Sequence, residues 1–267
     1  MQLEMPIFKL RQGKSRLVVS MPHVGTYLPS WLKPRLTDAG LSIADTDWHL
    51  EQLYNFLDDL DATVIIATHS RYVIDLNRPS DDVSLYPGQS TTGLCPIDAF
   101  NEAPLYLPNQ APSADEVQQR IAIYWQPYHQ ALNAEISRVK ALHGSALLWD
   151  AHSIDSVVPR FFEGTLPHLN VGTANHQSCD SDLADAVYAM VKQRNYEAVM
   201  NGRFKGGFIT RHYGQPSADV HAIQLEIATR SYMQVNDVSK VDDGLADQLR
   251  PTLRAMMQAM LDWKKAG

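Results

Sequence analysis

The sequence predicts one α/β domain, on three observations. Short apolar runs rich in β-branched residues alternate with stretches of helical periodicity. Several of the runs stop at polar residues able to do chemistry, which is where the strands of open α/β sheets present their sites. The 267 residues show no repeat, low-complexity segment or break in composition, so the domain is read as 1–267.

Taken in order, Arg16-Leu-Val-Val-Ser20 reads as the first strand, and it stops at Met21-Pro-His-Val-Gly25. Residues 41–60 read as a helix capped by Thr46 or Asp47, with Leu50, Leu53, Tyr54 and Leu57 at helical spacing. Thr63-Val-Ile-Ile-Ala67 is a second strand, which Tyr72-Val-Ile-Asp75 continues or pairs with. Residues 78–112 are rich in Pro, Ser, Asp and Gly, and a loop of that length suggests a lid or pocket wall. A long helix over 115–143, kinked at Pro127, leads into the strand that begins at Ala146 and ends in Asp150-Ala-His-Ser153. Beyond it come a short strand at 169–172, a helix capped by Asp180 or Ser181, and a strand near Val199. The paired Gly206 and Gly207 signal a tight turn or a close backbone approach. Residues 222–228 alternate as a half-exposed strand with Gln224 and Glu226 on one face, and an amphipathic helix over 245–263 closes the domain.

Composition narrows the function. Hydrophobic residues at 45% and charged residues at 20% are ordinary for a soluble globular protein. A formal net charge of -7 speaks against nucleic-acid or anionic-membrane partners, which need a basic face. Two cysteines, Cys95 and Cys179, make neither a disulfide framework nor a thiolate metal site, which fits a cytoplasmic protein. The first ten residues lack the pattern of a signal peptide, and no apolar run approaches the ~20 residues that span a bilayer.

Three groups of residues could carry chemistry. His23 and His152 each follow an apolar strand and Asp47 opens the intervening helix, a two-histidine, one-carboxylate set of the kind that holds catalytic zinc. Asp150, His152 and Ser153 could instead be parts of a nucleophilic hydrolase, although no Gly-x-Ser-x-Gly elbow accompanies Ser153. Arg71, Asn77 and Arg78 bracket a short apolar stretch and could grip a carboxylate, or form a surface ion-pair patch. Glu226, isolated in an apolar strand, suits a general base of raised pKa, or a core carboxylate paired with a buried arginine. A non-catalytic module for acidic ligands would explain the arginines but leave His23, His152 and Glu226 idle.

Read together, Met21-Pro-His-Val-Gly25, Asp45-Thr-Asp-Trp-His-Leu50, Ser70-Arg-Tyr-Val-Ile-Asp-Leu-Asn-Arg-Pro79, Asp150-Ala-His-Ser153, Gly206-Gly-Phe-Ile-Thr-Arg-His-Tyr-Gly214 and Gln224-Leu-Glu-Ile227 make the chain resemble the N-formylglutamate amidohydrolase family over nearly its whole length. The resemblance implies a three-layer α/β fold, a central mixed sheet flanked by helices, similar to zinc carboxypeptidases and to phosphorylase/hydrolase-like proteins. It implies a metal-dependent amidohydrolase that deformylates N-formyl-L-glutamate in histidine degradation, with one zinc ion and a small acidic substrate. Another N-acyl acidic amino acid would satisfy the same arginines. By the same resemblance, His23, Asp47 and His152 hold zinc and Glu226 is the general base. Arg71 serves the oxyanion, Asn77 and Arg78 serve the substrate carboxylates, and His212 and Tyr213 add hydrogen bonds to substrate. Carboxypeptidase-like enzymes carry a Glu three residues after the first His, whereas Thr26 stands here. The carboxylate ligand therefore comes from elsewhere, from Asp47 or the neighbouring Asp45, and Asp150 is a partner that orients an imidazole.

Overall fold

Apolar strands in parallel register make the middle of the sheet and carry the reactive residues at their carboxyl ends. The computed structural model describes residues 3–85, 87–234 and 240–265. Its seven-stranded sheet has the order β1-β3-β2-β4-β7-β5-β6. In chain order these are β1 (Phe8–Arg11), β2 (Leu17–Met21), β3 (Thr63–Ala67), β4 (Ala146–Ile154), β5 (Leu169–Gly172), β6 (Ala198–Met200) and β7 (Val220–Ala228). β3, β2, β4 and β7 run parallel, β1 is antiparallel on β3, and β5 is antiparallel on β7, so the sheet is mixed.

Every residue of β2, β4 and β7 is buried, as expected when helices cover both faces of a parallel sheet. Alternation sorts the side chains to the two faces. Leu147, Trp149 and Ala151 of β4 join Ile223, Leu225 and Ile227 of β7 under α5 (Ser181–Lys192) and α7 (Asp243–Asp262). Leu148 and Ala222 face the other way, under α4 (Gln126–His143) and α6 (Phe208–Tyr213). Continuing along this second face, Leu148 is followed by Asp150 and His152, and Ala222 by Gln224 and Glu226. The polar end of that face is the floor of the site.

The structure departs from the sequence reading in several places. The helix over 41–60 is broken into α1 (Asp38–Ser42) and α2 (Leu50–Leu53), because Ile43 and His49 turn left-handed at φ 46° and 59°. Leu50, Leu53, Tyr54 and Leu57 are nevertheless all buried, so the apolar spacing reported packing rather than one continuous helix. Thr46 and Asp47 cap nothing; the Asp47 N–H donates to His23 O (3.0 Å), which ties its loop to the end of β2. Residues 72–75 form no strand: 71–73 make a turn and the chain then runs on irregularly, with the Asp75 N–H bonded to Leu94 O (2.7 Å). β4 continues through Asp150 and His152 to Ile154 instead of ending at them. β7 is wholly buried rather than half-exposed, being flanked by β4 and β5 with helices on both sides.

The long helix exists as α3 (Ala114–Arg120), a π-helical turn (Ile121–Trp125) and α4, the wide turn falling just before Pro127, which has no N–H to give. Two elements had no counterpart in the sequence reading. β1 is a four-residue, largely exposed edge strand, and α6 follows the paired glycines directly. Gly206 has φ 117°, and a Cβ on Gly207 would lie 2.4 Å from Asn77 Nδ2, the close approach those glycines signalled. Among the described residues, no helix is long and apolar enough to cross a membrane.

Candidate active site

Neighbouring strands set the floor of the cavity. β4 and β7 align Asp150 with Gln224 and His152 with Glu226, which brings a histidine and a carboxyl group side by side on one face. His23 follows the end of β2, the next strand over, and its ring centre lies 4.9 Å from that of His152. Asp47 enters from the 44–49 loop. Its Oδ2 lies 3.0 Å from His152 Nδ1 and 3.8 Å from His23 Nδ1, and it accepts the Ser153 N–H (3.2 Å). His23, Asp47 and His152 each offer a ligand atom, all within 4.8 Å of one another and all buried.

The remote nitrogens show which way the imidazoles face. His23 Nε2 lies 2.7 Å from Asp75 Oδ1, and His152 Nε2 lies 3.0 Å from Asp150 Oδ1. At His23 a carboxylate at Nε2 fixes the proton there and leaves the Nδ1 lone pair facing Asp47, the outer support that metal-binding histidines have, and His152 likewise turns its Nδ1 to Asp47. Charges agree with this arrangement. Burial and the Arg71 guanidinium push the His23 pKa down, against the pull of Asp75 and Asp47, so the ring is neutral. Around His152, burial is outweighed by Asp150 and Asp47, which raise its pKa well above the ordinary value. A field that holds a proton between His152 and Asp47 equally favours a cation there. Two imidazole nitrogens and a carboxylate oxygen make a donor set that suits zinc with a position left open.

Asp75 organises the opposite wall. Besides His23 it accepts Arg71 Nη2 (2.5 Å) and the Asn77 N–H (2.8 Å), and Arg78 Nε lies 3.8 Å away. Burial would raise its pKa, but Arg71 and His23 hold it well below the usual carboxylate range. Arg71 also stands 4.0 Å from Asp47 Oδ1 and 4.8 Å above the Phe100 ring. Burial alone would lower its pKa, and the carboxylates of Asp75, Asp47 and Asp45 outweigh that and raise it. Glu226 sits with Gln224 Nε2 donating to its Oε2 (3.2 Å), and burial, aided by Asp47, pushes its pKa up to about 8. That value is suited to taking a proton near neutral pH.

A match to the family described as N-formylglutamate amidohydrolase covers residues 15–233. The chain belongs to that family. Among curated relatives, the N-formylglutamate deformylases of Pseudomonas putida and Pseudomonas aeruginosa are 44% and 45% identical to it over 258 residues, covering 96% of this chain and 96% and 97% of theirs. The fold matches the crystal structure of the N-formylglutamate amidohydrolase from Ralstonia eutropha JMP134, with TM-score 0.81, 24% identity, and coverage of 96% of this chain and 97% of that one. A gene product of Agrobacterium tumefaciens has the same fold at TM-score 0.73 and 18% identity, covering 96% of each chain.

In this N-formylglutamate amidohydrolase family member, one cavity gathers His23, Arg71, Asn77, Arg78, His152 and Glu226. Asp45 stays outside the ligand cluster and accepts the Phe100 N–H (2.9 Å), so of the two aspartates it is Asp47 that meets the histidines. The Ser153 Oγ accepts from the Tyr232 hydroxyl (2.8 Å), and among the described residues no imidazole is paired with it, so the nucleophile reading of Asp150, His152 and Ser153 gains no support. His212 and Tyr213 do not line the cavity. α6 turns Thr210 towards the site, where its hydroxyl donates to Asp150 Oδ2 (3.0 Å). Tyr213 lies on the far side against His129 Nδ1 (3.0 Å), and His212 stacks on Phe208.

The side chain of Asn77 is engaged at both ends, its Oδ1 accepting the Ile209 N–H (2.8 Å) and its Nδ2 lying 3.3 Å from Asp150 Oδ2 and 2.8 Å from His152 Nε2. Phe100 comes from the 78–112 loop expected to form a pocket wall, and Asp75, Phe161, Arg203 and Phe204 also touch the cavity without having been expected there. Asp75 is recognisable in the sequence as the acidic residue between Arg71 and Arg78. Nothing local marks the others.

Proposed function

We propose that the chain is a zinc-dependent deformylase that hydrolyses N-formyl-L-glutamate to formate and L-glutamate, acting in the cytoplasm in histidine degradation. The observation that carries this reading is the convergence of His23, Asp47 and His152 with Glu226, the buried Arg71 and the partly buried Arg78 around one cavity. The names of the two Pseudomonas relatives supply the substrate.

When bound by His23, Asp47 and His152, one zinc ion supplies Lewis acidity, bringing the pKa of water towards ~7 and polarising an amide carbonyl. Glu226 takes the proton of the attacking water and hands it to the amide nitrogen as the C–N bond breaks, so that formate and a free amine leave. Arg71, pinned by Asp75 and stacked on Phe100, faces the developing oxyanion, a role worth about 3 kcal/mol in comparable sites. Arg78 takes a substrate carboxylate: it lines the cavity beside Arg71, with its Nε 3.8 Å from Asp75 Oδ2. Asn77 we read as a positioning residue that holds Asp150 and α6 in place behind His152. His212 and Tyr213 have no part in binding.

The experiment is formate release from N-formyl-L-glutamate, N-formyl-L-aspartate and N-acetyl-L-glutamate by chelator-stripped protein titrated with zinc. Activity should return at one zinc per chain and be highest on N-formyl-L-glutamate. Full activity in the stripped protein would remove the metal from the reading, and preference for another N-acyl acid would change the substrate. Replacing Arg78 by Leu should raise KM for N-formyl-L-glutamate by about 10²-fold while altering that for an uncharged formamide little. Equal effects on both would refute the carboxylate role.

A further inference from the structure

We infer that Arg203 recognises the side-chain carboxylate of the substrate, and so sets the preference for an acidic over a neutral side chain. The inference rests on the deformylase reading above and adds to it the residue that tells glutamate from glutamine. Three guanidiniums, those of Arg71, Arg78 and Arg203, line the cavity. Two of them are close to Asp75: Arg71 at 2.5 Å and Arg78 at 3.8 Å. Because Asp75 also holds His23, these two arginines lie at the reacting end. Arg203 stands further along. Its Nε donates to Phe161 O (2.6 Å) and its Nη2 to Ser90 O (3.2 Å), carbonyl contacts that orient the guanidinium.

An apolar wall joins the two ends. Arg71 stacks on Phe100 at 4.8 Å, Phe100 meets Phe161 edge-on at 4.9 Å, and Arg203 lies 5.8 Å from the Phe161 ring and 5.4 Å from that of Phe204. An N-acyl glutamate has matching parts in matching order. Its α-carboxylate is attached to the carbon next to the amide nitrogen, within reach of the reacting end. Two methylenes follow, which suit the phenylalanine wall, and then the second carboxylate. Arg78 therefore takes the α-carboxylate and Arg203 the distal one. The flanking rings and carbonyls hold the Arg203 side chain in one geometry, which lowers the entropy lost when it binds a carboxylate.

The test measures kcat and KM of the zinc-loaded wild type, Arg203→Gln and Arg203→Lys on N-formyl-L-glutamate, its α-amide and N-formyl-L-glutamine. In Arg203→Gln, kcat/KM should fall by about 10²-fold, mainly through KM, on the two substrates that keep the side-chain carboxylate. It should change by less than about threefold on N-formyl-L-glutamine, and Arg203→Lys should keep part of the preference. An equal fall on all three substrates, or an unchanged preference for glutamate over glutamine, overturns the assignment of Arg203 while leaving the deformylase reading intact. A wild type inert on N-formyl-L-glutamate overturns both.

Discussion

Replacing Glu226 by Gln should lower kcat on N-formyl-L-glutamate by about 10³-fold and leave one zinc per chain. The substitution keeps the volume, and the side-chain oxygen can still accept from Gln224 Nε2. What it removes is the ability to take and return a proton. The ligand atoms of His23, Asp47 and His152 are untouched, so metal content measured on the same sample separates loss of the base from loss of the ion. Retained turnover would strip Glu226 of this role.

A second reading of the same variant comes from pH. With its pKa raised from an ordinary 4.5 to about 8, Glu226 keeps its proton in the folded chain over a range where the unfolded chain has released it. The folded state then binds more protons than the unfolded one, so this group's contribution to stability falls as pH rises from about 4.5 to about 8. Metal-free Glu226→Gln should therefore resist urea better than metal-free wild type at pH 9 and differ little at pH 4. Equal urea midpoints at pH 9 would show that burial does not hold the proton on Glu226.

The sheet's centre was legible in the sequence because apolar, β-branched runs have few alternatives, and the site's floor was legible because His152 and Glu226 interrupt such runs. Their pairing across β4 and β7 is a matter of register that no local pattern carries. The failures have physical causes. β1 exposes three of its four residues and so shows no apolar run. The 41–60 region has helical apolar spacing, yet its chain turns left-handed at Ile43 and His49 to bring Asp47 beneath His23 and His152. His212 and Tyr213 belong to a string that carries the family resemblance, but on the six-residue α6 it is Thr210 that bonds to the site. The Asp75-Leu-Asn-Arg78 string assigns Asn77 to a carboxylate by resemblance; Asn77 does line the cavity, with its amide bonded to Asp150 and α6.

Asp75, whose importance lies wholly in tertiary contacts, should give the largest stability effect of any single change at the site. Replacement by Ala removes the acceptor of His23 Nε2, of Arg71 Nη2 and of the Asn77 N–H at once. Arg71 is then left as a buried cation whose remaining carboxylate neighbours include Asp47, 4.0 Å away, and Asp45. Breaking a buried pair from one side costs about 3–5 kcal/mol, so the urea midpoint should fall by that equivalent. Because the His23 ring also loses the carboxylate that fixes its tautomer, zinc affinity measured against a competing chelator should drop about 10–100-fold. Asp75→Asn can keep the acceptor oxygen shared by His23 Nε2 and the Asn77 N–H, but it loses the Arg71 acceptor and the charge, and it should recover part of the zinc affinity and little of the stability. If Asp75→Ala bound zinc as tightly as wild type, the orientation of His23 would have to be set by the β2 backbone alone. Asp75 would then serve only to neutralise the arginines.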